Sequence, residues 1–544
     1  MHPPSPGWLL EAAPGGCGIS PTYFPFLSFL SLLSSLVLLI APVLERTVKP
    51  RTRDDMSPAT TPTALLWTLP LVLVHAASKF SFPSAARGLL SFAVPSVLSP
   101  SPAKPVSLRP IDPQIAAQRA STDCLDGLRG VAAFAVMIFH YSSFAYPNIR
   151  TAYGYNGNTN LLKLPFVKIW YSGGFMVFLF FVISGYVLSA RAVRLMLRRD
   201  RDRILPVLSS MTFRRVVRLG LPSLVMSFIS FLCQRAQLLD KPWPHYVPGL
   251  WGDIRFYFEN LRDLFTFYNW NQFHIYYLPP LWTIAVEFRC SMILFLLLLG
   301  IARCRTGPRL LIEALVFVDT MLHDRWDLGC FVLGLLAAEI HVGTQEAASQ
   351  RSKEEGLLHN ADATDSSFQY DDGRNGNATN QRRRRILKKL GLWACFIAGM
   401  YLGSVPTEHT CETPGYATLC KLTWHGEKWR YIALPGSFLI IVGILYLPIL
   451  QRPLVAPAAR YLGRVSYALY LVHELVNMLI GKGIRNAGWA LLGKTGVMYH
   501  FGYVFGLVFY VSLSLWLADM FMRAVDMPST NLARWLEEKC VDKS

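Results

Sequence analysis

Residues 125–146 read LDGLRGVAAFAVMIFHYSSFAY. The run is long and apolar enough to cross a bilayer, which takes about twenty such residues, yet it carries charge where lipid does not accept it. Asp126 and Arg129 stand at its start, and His140 follows Arg129 by eleven residues. Eleven steps are about three turns of helix, so Arg129 and His140 leave nearly the same face, roughly 16 Å apart along the axis. Asp126 falls within about 40° of His140 on the same reckoning. One helix therefore shows a polar stripe on an apolar cylinder. Ionisable groups at membrane depth are costly; they usually face a protein interior or a wet cavity and mark a site or a pathway. The plainer alternative is an arginine snorkelling to the headgroups and a histidine hydrogen-bonded near the opposite interface. Spacing alone leaves both open.

The composition agrees with a membrane chain. Of 544 residues, 52% are hydrophobic and only 16% charged, whereas a soluble domain carries nearer a quarter charged. The charges gather in blocks between long apolar runs. The fold class expected is all-α: a polytopic membrane helical bundle of about ten transmembrane helices plus one or more N-terminal apolar segments. The spans fall at 127–146, 174–192, 212–233, 278–302, 309–321, 326–342, 390–404, 430–447, 465–480 and 501–523. A net charge of +18 would also suit a nucleic-acid binder. Here, however, the Lys and Arg residues cluster in the even-numbered connections, as cytosolic loops require. The lipid bilayer is the expected partner and nucleic acid is not. The same bias puts Arg129 at the cytosolic end of the first span and His140 toward the far side. The ten cysteines are spread singly with no CxxC or Cys/His spacing, so no metal site is expected.

Three regions follow. Residues 1–115 form an N-terminal extension. It holds a membrane anchor at 21–44, flanked by Arg46, Lys49, Arg51 and Arg53, weaker apolar stretches at 61–77 and 88–98, and a Pro/Ser-rich linker. Residues 1–20 lack Lys and Arg, so a cleavable secretory signal is not expected. Residues 116–525 form the membrane domain, and 526–544 a C-terminal cytosolic tail. Within the domain, 343–381 is acidic, then polar, with few aromatics, and reads as a disordered cytosolic loop.

Four further stretches carry polar or small residues into apolar runs. SGGFMVFLFFVISGYVLS, 172–189, places Gly173, Gly174, Ser184 and Gly185 where helices pack closely. FRRVVRLGLP, 213–222, holds Arg214, Arg215 and Arg218; they are either positive-inside anchors or a grip for donor phosphates. LPPLWTIAVEFRC, 278–290, buries Glu287 and Arg289 in an apolar run, as a structural pair or as catalytic groups. LGRVSYALYLVHELV, 462–476, sets His473 and Glu474 midway along the ninth span, where the histidine is a core group or a chemical one.

In this order the motifs resemble the acyltransferase 3 family of integral-membrane O-acyltransferases, as a fungal-like member, over about residues 120–525. The resemblance rests on DGLR followed by arginine, ten residues and histidine, on FFVISGY, on the arginine cluster before Pro222, on WTIAVE, and on SYALYLVH. Thr283 and Ile284 stand where the family has serine and leucine, and Pro222 follows the last arginine by four residues rather than three. The resemblance implies transfer of an acyl group, most often acetyl, from acyl-CoA to a hydroxyl of a carbohydrate, lipid or secondary-metabolite acceptor. It implies no bound cofactor, with acyl-CoA as co-substrate. His140 is then the expected catalytic base or a transient acyl carrier. Arg129 and Asp126 position the donor or orient the site, with Glu287 grouped among the catalytic residues. Arg214, Arg215 and Arg218 hold donor phosphates at the cytosolic mouth. Ser184, Trp282 and His473 line the site, and the Trp-rich far-side loop 241–274 shapes the acceptor end. The alternatives from other classes are a polytopic transporter that uses the polar residues as a substrate or proton path, and a scaffold with a dead site. The location expected is a multi-pass integral protein of an endomembrane (endoplasmic reticulum) or the plasma membrane.

Cys411 and Cys420 are the only two cysteines in the loop 406–429, on the far side by the charge rule. An oxidising far side permits a disulfide there, and Pro414 with Gly415 favours the turn that brings the ends together. In the chain-entropy model the closure contributes roughly 2–3 kcal/mol. The topology also makes a prediction. The sequon Asn377-Ala378-Thr379 lies on the cytosolic side and is expected to stay unmodified in a eukaryotic host. A glycosidase-sensitive mass shift that vanishes in Asn377→Gln would reverse the orientation.

Overall fold

A chain that crosses a bilayer must satisfy its backbone polar groups within itself, and the helix does so segment by segment. The computed structural model describes residues 113–239, 249–267, 276–362, 374–423 and 426–541, and among these it has helices and turns but no strand. The helices are α1 (Pro113–Ser143), α2 (Gly173–Leu197), α3 (Ile204–Arg235), α4 (Leu250–Phe265), α5 (Leu281–Ile301), α6 (Thr306–Leu322) and α7 (Trp326–Asp362). After them come α8 (Arg374–Gly403), α9 (Lys428–Tyr446), α10 (Pro448–Leu454), α11 (Pro457–Val476), α12 (Lys482–Leu492), α13 (Gly496–Phe521) and α14 (Met527–Cys540). The expected anchor at 21–44, the stretches at 61–77 and 88–98 and the linker up to 112 lie outside the described residues.

Eight of the described helices are long and apolar enough to cross a membrane. The all-α polytopic bundle is thus as expected, with two of the ten anticipated spans falling short of that measure. Helix α6 has only 17 residues. Helix α11 has 20 residues but carries Arg460, Arg464, His473 and Glu474. It does without an apolar surface because it is enclosed: Val465, Ser466 and every residue from Ala468 to Val476 are buried.

Between helices in lipid no hydrophobic drive remains, so close approach and dispersion hold the bundle. Glycines make that approach possible. A Cβ on Gly130 of α1 would strike the backbone of Leu462 and Gly463 of α11, and one on Gly463 the carbonyl of Asp126. Helices α2 and α7 meet in the same way, Gly185 against the Phe331 carbonyl and Gly334 against that of Val182. The α1–α11 seam runs parallel. Gly463 lies beside Asp126, and about three turns further on Glu474 lies beside His140.

The two ends of the bundle gather different loops. At one end Arg194 and Arg198 of α2 clasp Glu346 of α7 at 3.3 and 2.8 Å. The described parts of 343–381, expected as a loop, are helical. Helix α7 continues to Asp362 and α8 starts at Arg374, while 363–373 lie outside the described residues. The reason is that Gln345, Glu346, Ala347 and Ala348 are good helix formers, and Glu346 is anchored. The tail after 525 is likewise ordered: α14 packs on α3, with Arg214 3.2 Å from Glu537. At the other end the segment after α1 meets the segment after α8. Arg150 pairs with Glu408 at 3.2 Å, and the rings of Tyr155 and His409 stack at 4.3 Å. The first and seventh connections thus share one side, as the charge bias requires. Of the Trp-rich loop only 249–267 is described; α4 there turns Tyr257 onto Phe231 and Tyr277.

Cys411 and Cys420 are joined, their Cα atoms 5.4 Å apart. In sealed membranes both thiols are expected to resist alkylation until a reductant is added. Full labelling of both before reduction would remove the bridge and the oxidising far side with it.

Candidate active site

Helix α11 and the turn that continues it carry polar residues at Ser466, Tyr470, His473, Glu474 and Asn477, spacings that put them along one side of the helix. All five are buried, so each needs a partner inside the protein. Ser466 accepts from Arg129 Nε of α1 at 3.0 Å. Tyr470 accepts from Thr283 Oγ1 of α5 at 2.8 Å. Glu474 Oε2 lies 3.3 Å from His140 Nδ1. Asn477 reaches both the His140 carbonyl and Glu474 at 3.5 Å, and its Oδ1 accepts from Arg485 Nη1 at 3.0 Å. Asn477 opens a π-helical turn, Asn477–Gly481; such turns are frequent at functional sites because they re-aim side chains. Arg485 is itself held over the rings of Tyr141 and Phe144, at 4.9 and 4.8 Å.

The centre of this arrangement is His140, Glu474 and His473. A carboxylate accepts, so the Glu474 contact places the His140 proton on Nδ1 and leaves Nε2 with a lone pair. The His140 side chain is 33% exposed. The rings of His140 and His473 are 5.2 Å apart. One ligand atom from each of His140, His473 and Glu474 lies within 4.8 Å of the others, a set that can hold a metal ion where none was expected. The same donor set suits proton transfer.

The remaining sequence candidates fall into two other groups. At the arginine-rich end of the bundle Arg129 pairs with Asp126 at 3.3 Å and donates to the Gly463 carbonyl at 3.3 Å. Arg218 lies within electrostatic reach of Arg129 and Asp526. Between that end and the histidines, Glu287 is held by Arg215 at 2.6 Å and accepts from Ser184 at 2.9 Å. Arg215 also donates to Ser291 at 2.7 Å. Glu287 therefore pairs with an arginine of α3, and the carboxylate beside His140 is Glu474. Trp282 packs edge-on against Trp326 at 6.4 Å. Sequence reasoning missed Glu474, Asn477 and Arg485 as site residues. The available signal was the adjacency of Glu474 to His473 and their spacing with Asn477 on one helix.

A half-buried imidazole held by a buried carboxylate beside a second imidazole, inside a bundle of membrane helices, is a set of groups able to move protons during group transfer. The sequence profile of the acyltransferase 3 family, an acyltransferase domain, matches residues 122–519, and the chain belongs to that family. It is a multi-pass membrane acyltransferase. It is 25% identical over 453 residues to "O-acetyltransferase PaAT-1" of Phomopsis amygdali, covering 77% of this chain and 85% of that protein. "Acyltransferase clz18" of Cochliobolus lunatus is 24% identical over 487 residues, 77% of this chain and 95% of the relative. "Acyltransferase R4" of a Phoma species is 25% identical over 490 residues, 78% and 96%. No solved structure matches.

His140→Ala is expected to cut acyl transfer by ~10²–10⁴-fold, the usual contribution of a proton-transfer group, while the protein inserts and extracts normally. Glu474→Gln is expected to cost about 10²-fold or more, because an amide does not hold the His140 proton on Nδ1 as a carboxylate does. Turnover by purified variants checks both. Activity of either within about twofold of wild type would remove that residue from the mechanism.

Proposed function

We propose that the protein transfers an acetyl group from acetyl-CoA to a hydroxyl of a carbohydrate, lipid or secondary-metabolite acceptor. The observation that carries the reading is His140 held through Nδ1 by Glu474, with its Nε2 left to react. A neutral imidazole presents a lone pair that can take the proton of a hydroxyl that attacks poorly otherwise. The same nitrogen is also a competent nucleophile toward a thioester. The printed name of the Phomopsis amygdali relative, an O-acetyltransferase, supports both the acetyl group and the oxygen acceptor.

The donor's phosphates are assigned to the cytosolic end, where Arg129 and Arg218 lie near one another. A guanidinium fork binds phosphate oxygens in pairs. Arg214 and Arg215 already hold Glu537 and Glu287 and brace α3 for that task. Asp126, paired with Arg129, and Asp526, within electrostatic reach of Arg218, keep these guanidinium groups oriented until the donor arrives. The far-side disulfide suits a membrane that faces an oxidising compartment, such as the endoplasmic reticulum or the plasma membrane. Purified protein is expected to release free CoA thiol from acetyl-CoA, and the His140→Ala variant is not. A folded wild-type protein that leaves acetyl-CoA intact while moving protons or solutes across vesicles would favour the transporter reading instead.

A further inference from the structure

One buried polar atom next to His140 is unused in this scheme, and it is His473 Nε2. The imidazole is fully buried. Its Nδ1 lies 3.0 Å from the Leu469 carbonyl oxygen. A carbonyl only accepts, so Nδ1 carries the proton and donates it, and Nε2 presents a lone pair. That lone pair has no hydrogen-bond partner. A buried acceptor left unmade is costly, and such exceptions in folded proteins call for a role or a ligand. The backbone around the ring is pinned from the other side as well, since Tyr510 donates to the His473 carbonyl at 2.9 Å.

The two imidazoles are equipped differently. His140 leans on a carboxylate, at 3.3 Å, which can compensate a positive charge on its ring. His473 leans on a neutral carbonyl, which fixes its tautomer and leaves Nε2 a neutral acceptor. Their ring centres are 5.2 Å apart, and one ligand nitrogen of each lies within 4.8 Å of the other.

We propose that the two histidines divide the reaction: His140 carries the acyl group, and His473 Nε2 binds the acceptor hydroxyl and takes its proton. This rests on the acyl-transfer reading above. In the first half, His140 Nε2 attacks the thioester carbonyl carbon, an N–C bond forms, the C–S bond breaks, and the thiolate leaves with the donor. The acyl-imidazolium that results is compensated by Glu474. In the second half the acceptor's O–H proton passes to His473 Nε2, its oxygen bonds to the acyl carbon, and the C–N bond breaks. His140 is neutral again. The proton on His473 is released to solvent and balances the one the thiolate takes up.

The test uses the full-length protein, purified and given isotopically labelled acetyl-CoA without acceptor. Rapid quenching and intact-protein mass spectrometry then follow an acetyl adduct that hydroxylamine removes. In His473→Asn the amide nitrogen keeps the bond to the Leu469 carbonyl while the Nε2 lone pair is lost. The adduct is expected to form within a few-fold of the wild-type rate. Its discharge into water is expected to slow by about 10²–10⁴-fold, the size of a general base. Discharge to hydroxylamine, which needs no base, is expected to stay at the wild-type rate. His473→Gln, offering an oxygen that accepts but does not hold a proton, is expected to behave as His473→Asn. An unchanged adduct lifetime would overturn the proposal, as would an adduct that forms as slowly as it discharges, the mark of a merely structural role. Consumption of acetyl-CoA by wild type with no adduct would overturn the division while leaving acyl transfer standing. No consumption at all would remove the acyl-transfer reading and this proposal together.

Discussion

A helix with a polar side cannot face lipid, and the architecture follows from covering α11. Its buried serine, tyrosine, histidine, glutamate and asparagine would each cost free energy without a partner. The partners come from different helices. Helix α1 supplies Arg129 and His140, α5 supplies Thr283, and α13 supplies Tyr510. Helix α3 meets Tyr467, which donates to the Leu219 carbonyl at 2.8 Å. A glycine seam alone would let α1 slide against α11. The added polar contacts fix rotation and depth together, because each is satisfied at one register only.

That register sets out the chemistry along the bundle. Arg129 stands at the arginine-rich end and His140 roughly three turns deeper on the same face of α1. On the proposed reading, a donor with anionic and thioester ends binds at the first and reacts at the second. Buried ion pairs support this frame. Arg215–Glu287 at 2.6 Å and Arg309–Glu339 at 2.6 Å each join two helices. Such pairs add little net stability, yet removing one partner strands a charge and is strongly destabilising. They are better understood as keys to helix pairing than as reacting groups.

The protein also shows how a helix can sit inside a membrane bundle without being apolar. Hydropathy measures what lipid would accept, and α11 does not meet lipid along its buried stretch. The two π-helical turns, Asn477–Gly481 and Met522–Asp526, follow α11, which carries His473, and α13, whose Tyr510 donates to the His473 carbonyl. At the first, the change of pitch turns Asn477 back toward His140.

The sequence by itself determined the all-helical bundle, the shared end of the first and seventh connections, the shared face of Arg129 and His140, and the family. Each is a property of residues close together in the chain: the length of an apolar run, the charge of a loop, the period of one helix. The candidate pairing of Cys411 with Cys420 was legible for the same reason. Tertiary structure alone decided which carboxylate stands beside His140. Glu287 looked as eligible as Glu474, and only the packing of α3 on α5 gave Arg215 to the former. In the same way the arginine cluster was divided among Glu537, Glu287 and the Arg129 neighbourhood. The helical course of 343–362 came from an anchor, Glu346, whose partners lie on α2. Contacts between residues far apart in the chain have no period to read, because they depend on how close the backbones of two helices come. Here glycines at Gly130 and Gly463 set that distance.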